Sequence, residues 1–247
     1  MILRKQYLTE NDCYKAGAAM RPRGIMVHST GADNPYLKRY VAPDDGTIGV
    51  NKYGNHWNKA KPDGIQICVH AFIGRGVDGK VYVYQTLPWD IVGWHSGAGV
   101  RGSAANANNN GYIGFEVCED SLADPAYFAE AYESAAELCA YLCGLYGIKP
   151  ASPYLIDHSE GNRLGIASAH GDISHWLARF GKTMNDFRST VARKLEAAQS
   201  AGAVSSGGNN VFYRVQVGAY NSKALAEAYL ERVKLMGLTN AFIVEVK

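Results

Sequence analysis

Long hydrophobic runs are missing from the 247-residue sequence, and no apolar stretch follows the basic residues of its N-terminus, Met-Ile-Leu-Arg-Lys. These absences argue against a membrane-spanning segment and against a secretory signal peptide. The net charge is only +2, so nothing in the composition points to nucleic acid as a partner. We therefore expect a globular protein that is synthesised in the cytoplasm without a signal peptide.

Cysteine is also scarce, and its five residues include no Cys-x-x-Cys pair. Cys139 and Cys143 stand four residues apart within a helical pattern, which places them on one helix face. This usage predicts buried free thiols in a reducing compartment. The metallopeptidase motif His-Glu-x-x-His is missing too, so any zinc ligands must come from separate segments.

The hydrophobic pattern predicts an α/β fold with a central sheet, which we expect to be mixed and flanked by helices. We expect a metal site at the strand ends, where candidate ligands stand. The predicted strands cover 24–30, 66–74, 80–87, 112–119 and 152–157. The predicted helices cover 9–20, capped by Thr9, then 36–41, 125–146 after an Asp124 cap, 176–180 and 184–198.

The last part of the chain changes character at a stretch of small and polar residues that is typical of a flexible linker. We place a main domain at 1–198, a linker at 199–210 and a small unit at 211–247. The small unit reads as strand, helix and strand, with Ser222 capping the helix. A βαβ-type unit this short rarely buries enough surface to be stable alone, so we expect it to dock on the main domain or to pair with a second copy.

Metal-ligand chemistry is concentrated in the segment 158–176, which shows little periodicity before Ile173. Upstream, one histidine stands at the end of the predicted strand 24–30, where ligands of α/β sheets commonly bind. A catalytic zinc ion takes three protein ligands and keeps one position open. The candidates are His28, His158, His170, Asp172 and His175, with His70 and His95 as less favoured choices.

Glu116 interrupts the otherwise apolar strand 112–119. A carboxylate within a central strand is costly unless it has a partner or a function. We therefore prefer Glu116 to the more solvent-facing Glu119 as a catalytic carboxylate.

Five short segments, taken in order, carry a family resemblance over roughly residues 20–190. They are Ile25-Met-Val-His28-Ser-Thr, Val69-His70-Ala-Phe-Ile, Gly93-Trp94-His95-Ser-Gly, Tyr112-Ile-Gly-Phe-Glu116 and Asp157-His158-Ser-Glu. Together they resemble the zinc-dependent N-acetylmuramoyl-L-alanine amidases of the bacteriophage-lysozyme type, whose fold is shared with the peptidoglycan recognition proteins. Each segment alone is a weak signal, whereas five in the same order are specific.

The resemblance implies a cell-wall hydrolase, an endolysin or an autolysin, that cleaves the amide bond between N-acetylmuramic acid and L-alanine after release from the cytoplasm. The alternative is a non-catalytic peptidoglycan-recognition protein. The implied cofactor is zinc, held by His28, His158 and a third ligand. That ligand usually follows a lysine by two positions, and His170-Gly-Asp172 stands there. Asp172 is therefore the first choice, and His175 or His170 the next.

The same resemblance implies roles for the remaining site residues. Glu116 would move the proton during hydrolysis, and His170 would stabilise the oxyanion. We assign Trp94, His95 and His70, which lie in the matching segments, to substrate binding.

The C-terminal unit carries a second resemblance. Tyr213-Arg-Val-Gln-Val-Gly-Ala-Tyr220, the helix after it and Ala241-Phe-Ile-Val resemble half of a sporulation-related repeat domain. That family binds peptidoglycan, so residues 211–247 are expected to bind the cell wall. A homodimer formed through this unit would complete its sheet.

Overall fold

The computed structural model describes residues 1–202, 218–235 and 241–245. The chain divides into two compact units, Met1–Gly202 and Ala203–Lys247. Within the described ranges, no helix combines the length and the apolar character that crossing a membrane requires.

Six strands form one mixed sheet in the first unit, which confirms the predicted α/β architecture. They are β1 (Leu3–Lys5), β2 (Gly24–Ser29), β3 (Ala71–Arg75), β4 (Val81–Gln85), β5 (Tyr112–Val117) and β6 (Leu155–Asp157), in the order β1-β4-β3-β5-β2-β6. Strands β3, β5, β2 and β6 are parallel, while β4 is antiparallel to β3 and parallel to β1. Strand β1 was not predicted, because its one half-buried and two exposed residues have no apolar pattern.

Five helices accompany the sheet in this unit. They are α1 (Asp12–Ala16), α2 (Pro125–Tyr146), α3 (His158–Arg163), α4 (Ser174–Arg179) and α5 (Met184–Gly202), with short 3-10 turns at Leu37–Arg39, Pro62–Gly64 and Ser103–Ala105. Helix α2 begins as predicted, because the Asp124 side chain accepts hydrogen bonds from the N–H groups of Ala126 and Tyr127. It ends at Gly147, whose φ of 67° suits a residue without a side chain.

Alternation along the central strands divides the core between the two faces of the sheet. One face packs against α2 and carries Ile25 and Val27 of β2 together with the odd-numbered residues Ile113, Phe115 and Val117 of β5. The opposite face therefore receives Met26 and His28 from β2, and Gly114 and Glu116 from β5. Because β2 and β5 are parallel and in register, His28 and Glu116 are direct neighbours at their carboxyl ends.

Several helices differ from the prediction. Helix α1 starts at Asp12 and is capped by Asn11 instead of Thr9, and α5 continues four residues past 198 to Gly202. Helix α3 was not predicted, because six residues are too few to show helical periodicity. Its capping box is nevertheless visible in the sequence: Asp157 accepts from the N–H of Glu160, and Glu160 accepts from that of Asp157.

The second unit is described only in part. Helix α6 (Lys223–Leu235) begins where it was predicted, and the Ser222 hydroxyl accepts a hydrogen bond from the N–H of Leu225. The first predicted strand, 212–220, lies mostly outside the described residues. Residues 241–245, predicted as the second strand, have no regular secondary structure.

All five cysteines fall within the described residues, where they are buried and unpaired. Burial raises the pKa of the Cys139 thiol well above its ordinary value. These cysteines are therefore small apolar residues of the core, as the sequence analysis predicted.

Asn11 provides a test of the corrected start of α1. Its fully buried side chain caps α1 by accepting a hydrogen bond from the N–H of Cys13. The amide nitrogen of the same side chain donates to the carbonyls of Trp57 and Ile67. Asn11→Ala removes the cap and leaves two carbonyls without this donor, so we expect the free energy of unfolding to fall by about 2–3 kcal/mol. Urea denaturation measures the change. Thr9→Ala is the control, because Thr9 was the predicted cap. If Thr9→Ala lowered the free energy of unfolding as much as Asn11→Ala does, the observed start of α1 would be contradicted.

Candidate metal centre

Parallel pairing between β2 and β6 brings two histidines together. Val27 is the register partner of Asp157, so His28, the next residue on β2, lies beside His158, the first residue of α3. Both are buried, with 1% and 4% of their surface exposed. Asp172 reaches the same point from the connection that precedes α4.

These three side chains converge on one point. His28 Nδ1 lies 2.9 Å from Asp172 Oδ2 and 3.1 Å from His158 Nδ1. His158 Nδ1 is 3.5 Å from Asp172 Oδ1. Ligand atoms held about 2.0–2.1 Å from a tetrahedral zinc ion would stand roughly 3.4 Å apart, so the observed separations match a three-ligand zinc site.

The protonation of His28 follows from a chain of contacts that starts at a backbone carbonyl. His95 Nε2 lies 3.0 Å from the Tyr112 carbonyl oxygen, which can only accept, so this nitrogen carries a proton. Burial, followed by the charge of His28, lowers the pKa of His95 well below its ordinary value, so the ring is neutral and its Nδ1 is an acceptor. That Nδ1 is 3.0 Å from His28 Nε2, which therefore donates.

A similar contact orients His158. The Ser168 hydroxyl lies 3.2 Å from the carbonyl oxygen of Ser96, to which it donates. Its oxygen is then the acceptor for His158 Nε2, at 3.3 Å. In the imidazole tautomer that carries its proton on Nε2, Nδ1 of His158 has a lone pair that can bind a cation.

The donor set therefore fits a cation. Burial lowers the pKa of His28, which keeps the ring neutral with its Nδ1 unprotonated. Asp172 is a carboxylate, because burial opposes its ionisation but the neighbouring His158 and His28 rings hold its pKa below the ordinary value. Ring nitrogens and carboxylate oxygens that face each other at 2.9–3.5 Å share a positive charge, which either a proton or a metal ion can supply.

Glu116 lies next to this cluster on the same face of the sheet. Its side chain is buried, and within the described part of the chain its Oε2 has no hydrogen-bond partner. Burial, together with the negative charges of Asp172 and Glu119, raises its pKa well above the ordinary value. A buried carboxyl group with a free oxygen and a raised pKa is suited to accepting and releasing a proton.

The other two histidines of the segment 158–176 lie outside the converging set. His170 is exposed, and its Nδ1 is 3.0 Å from the Ser168 hydroxyl, beside the ring of His158. His175 Nε2 lies 3.0 Å from the buried carboxylate of Glu119, while its Nδ1 approaches the Gly171 carbonyl at 3.3 Å. His175 therefore links the start of α4 to the segment after β5.

Two of the three predicted substrate contacts need correction. His70 is fully buried, and its ring nitrogens contact the carbonyl of Ile91 and the N–H of Gly114. His95 uses both nitrogens on Tyr112 and His28, as described above. Neither ring is placed to meet a substrate, because its polar atoms already have partners inside the protein. Trp94 is only partly buried, and its assignment to substrate binding remains a prediction.

Three supporting residues were not identified from the sequence. Asn108 accepts hydrogen bonds from the N–H groups of His95 and Ser96, and Ser168 orients His158. A Cβ at Gly114 would lie 2.3 Å from Cγ of His95, so this glycine makes room for the ring. The polar loop around Asn108 gave no local signal for this role, because its partners are distant in sequence.

Solved structures with the same fold include a hydrolase and an endolysin. The Staphylococcus aureus hydrolase AmiA, solved with its ligand, shares 20% identity over 81% of this chain and 86% of its own, with a TM-score of 0.55. The catalytic domain of XlyA shares 22% sequence identity over 77% of this chain and 99% of its own length, with a TM-score of 0.51. A mutant endolysin from Bacillus subtilis shares 22% sequence identity over 77% of this chain and 99% of its own length, with a TM-score of 0.50. No curated protein matches the chain significantly.

Two family models match the sequence. The SPOR domain matches residues 189–245, which include the end of α5 and all of α6. The N-acetylmuramoyl-L-alanine amidase model matches residues 18–174, a range that contains His28, Glu116, His158 and Asp172. This match spans well over half of the chain, which therefore belongs to the N-acetylmuramoyl-L-alanine amidase family.

Proposed function

We propose that this peptidoglycan amidase is a zinc enzyme in which His28, His158 and Asp172 hold the metal. The observation that carries the proposal is that ligand atoms of His28, His158 and Asp172 all lie within 4.8 Å of one another. The Nε2 atom of His28 contacts His95, and the Nε2 atom of His158 contacts Ser168. Supporting contacts of this kind orient histidine ligands in zinc sites.

Bound zinc would polarise the scissile carbonyl and lower the pKa of a water molecule to roughly 7. In the proposed reaction Glu116 accepts a proton from the attacking water and delivers it to the nitrogen of the leaving L-alanyl peptide. Its unpaired Oε2 is the atom available for this transfer. His170, exposed beside His158, would donate to the oxyanion that forms on the muramoyl carbonyl.

Peptidoglycan is the partner implied by both the amidase family and the SPOR domain. We propose the division into a catalytic domain at 1–198, a linker at 199–210 and a wall-binding unit at 211–247. We also propose that this unit forms a homodimer. Analytical ultracentrifugation of the full chain would show a dimer that a 1–202 truncation cannot form, and a monomeric full chain would contradict the idea.

Purified muropeptides provide the direct test of the proposed chemistry. The metal content of the protein is measured first, and the products of the loaded enzyme are then identified by mass spectrometry. We expect muramic-acid glycans and intact peptides that begin with L-alanine. Cleavage elsewhere in the substrate, or full activity in a protein depleted of zinc, would overturn the proposal.

His95 gives a further test through metal affinity. His95→Ala removes the acceptor that fixes the proton of His28, so we expect zinc affinity to fall about 10- to 100-fold. Competition with a chromophoric chelator measures it. His95→Gln, which retains an acceptor, should recover part of the affinity, and His56→Ala should leave it unchanged. Equal affinity in His95→Ala and the wild type would remove His95 from this role.

A further inference from the structure

A cavity of about 290 Å³ lies beside the proposed metal centre. It is lined by Ser159, Asn162, Arg163, Ala169, His170 and Gly171. Helix α3 starts at His158, so the proposed ligand and Ser159 are consecutive residues. On the other side, the ring of His170 is 4.9 Å from that of His158. The cavity is therefore next to the proposed metal centre.

The charge of this cavity is positive. Its lining contains no carboxylate, and the Arg163 side chain is 66% exposed. Glu160, the acid nearest to Arg163 along α3, is 4.0 Å away and binds Arg188 instead, through two contacts of 2.8 and 3.0 Å. The Arg163 guanidinium also donates a hydrogen bond to the Ser159 hydroxyl, at 2.6 Å. This contact holds the guanidinium beside another residue that lines the cavity. Its charge is thus available to an incoming anion.

The cavity is large enough for an amino-acid side chain, since its volume lies close to the lower end of the range for small-ligand sites, roughly 300–1,000 Å³. The substrate of the proposed reaction continues from the scissile amide into a peptide, and wall peptides carry an acidic residue beyond L-alanine. In some walls its carboxylate is free, and in others it is amidated.

We propose that this cavity binds a free carboxylate of the stem peptide, with Arg163 as the residue that recognises it. The proposal rests on the proposed amidase function, because it places the peptide side of the substrate along α3. A guanidinium pairs with a carboxylate through two parallel hydrogen bonds, and an amide cannot replace that pairing. The enzyme would then prefer peptides with the free acid.

The test compares two muropeptides that differ only in amidation of that carboxylate, using the full-length, zinc-loaded protein. We expect the wild type to show a KM about tenfold lower for the free acid, with kcat similar for both. Arg163→Gln should remove this preference by raising KM for the acid alone. Arg163→Lys, which keeps the charge but not the planar fork, should retain part of it.

Arg21→Gln is the matched control, since Arg21 is also exposed but does not line the cavity. It should preserve the preference for the free acid. A preference that survives in Arg163→Gln, or a KM that rises equally for both substrates, would overturn the proposal. Failure of the amidase function looks different, because the wild type would then release no L-alanyl peptide from either muropeptide.

Discussion

Glu116→Gln is expected to abolish most turnover while leaving the metal site intact. The amide has nearly the shape of the carboxyl group but cannot accept a proton from water at neutral pH. Loss of a positioned general base typically lowers kcat by about 10²- to 10⁴-fold. We expect kcat to fall within this range and KM to change little. Product release from muropeptides, followed by mass spectrometry, measures the effect.

The control for this variant is its zinc content. Glu116 is a neighbour of His28 in the sheet but is not among the three converging ligands, so Glu116→Gln should bind zinc as the wild type does. Glu119→Gln is the matched comparison, since Glu119 is another buried acid at the end of β5 and its partner is His175. Near-wild-type turnover in Glu116→Gln would remove Glu116 from the reaction.

The sequence predicted the sheet around the site because its central strands are short apolar runs that end in polar residues. Such runs identify strand ends, and parallel pairing then places those ends together. This reasoning put His28, Glu116 and His158 at one edge of a mixed sheet, where the structure also has them. Helix α3 was missed because a single turn and a half shows no periodicity, although its capping box could be read from Asp157 and Glu160.

The roles of individual histidines were harder to predict, because they depend on contacts between distant parts of the chain. His95 was assigned to substrate, yet its ring lies between the Tyr112 carbonyl and His28. No local pattern reveals that contact. The choice between Asp172 and His175 was left open for the same reason: only the fold shows that His175 faces Glu119.

His158→Ala is expected to remove the metal from the protein and all measurable activity with it. Two remaining ligands cannot complete the three-ligand site that a catalytic zinc ion requires. Elemental analysis should show about one zinc per chain in the wild type and none in the variant. Asp172→Ala should behave alike, whereas His175→Ala and His170→Ala should keep the metal. Zinc retained in Asp172→Ala but lost in His175→Ala would transfer the third ligand to His175.

Thermal stability gives a readout of the same site that does not depend on activity. A metal that binds only the folded state adds about 2.7 kcal/mol of stability when its free concentration is 100 times the Kd. Chelation should therefore lower the Tm of the wild type and leave that of His158→Ala unchanged. A chelator that lowers the Tm of both proteins equally would show that its effect arises elsewhere in the chain.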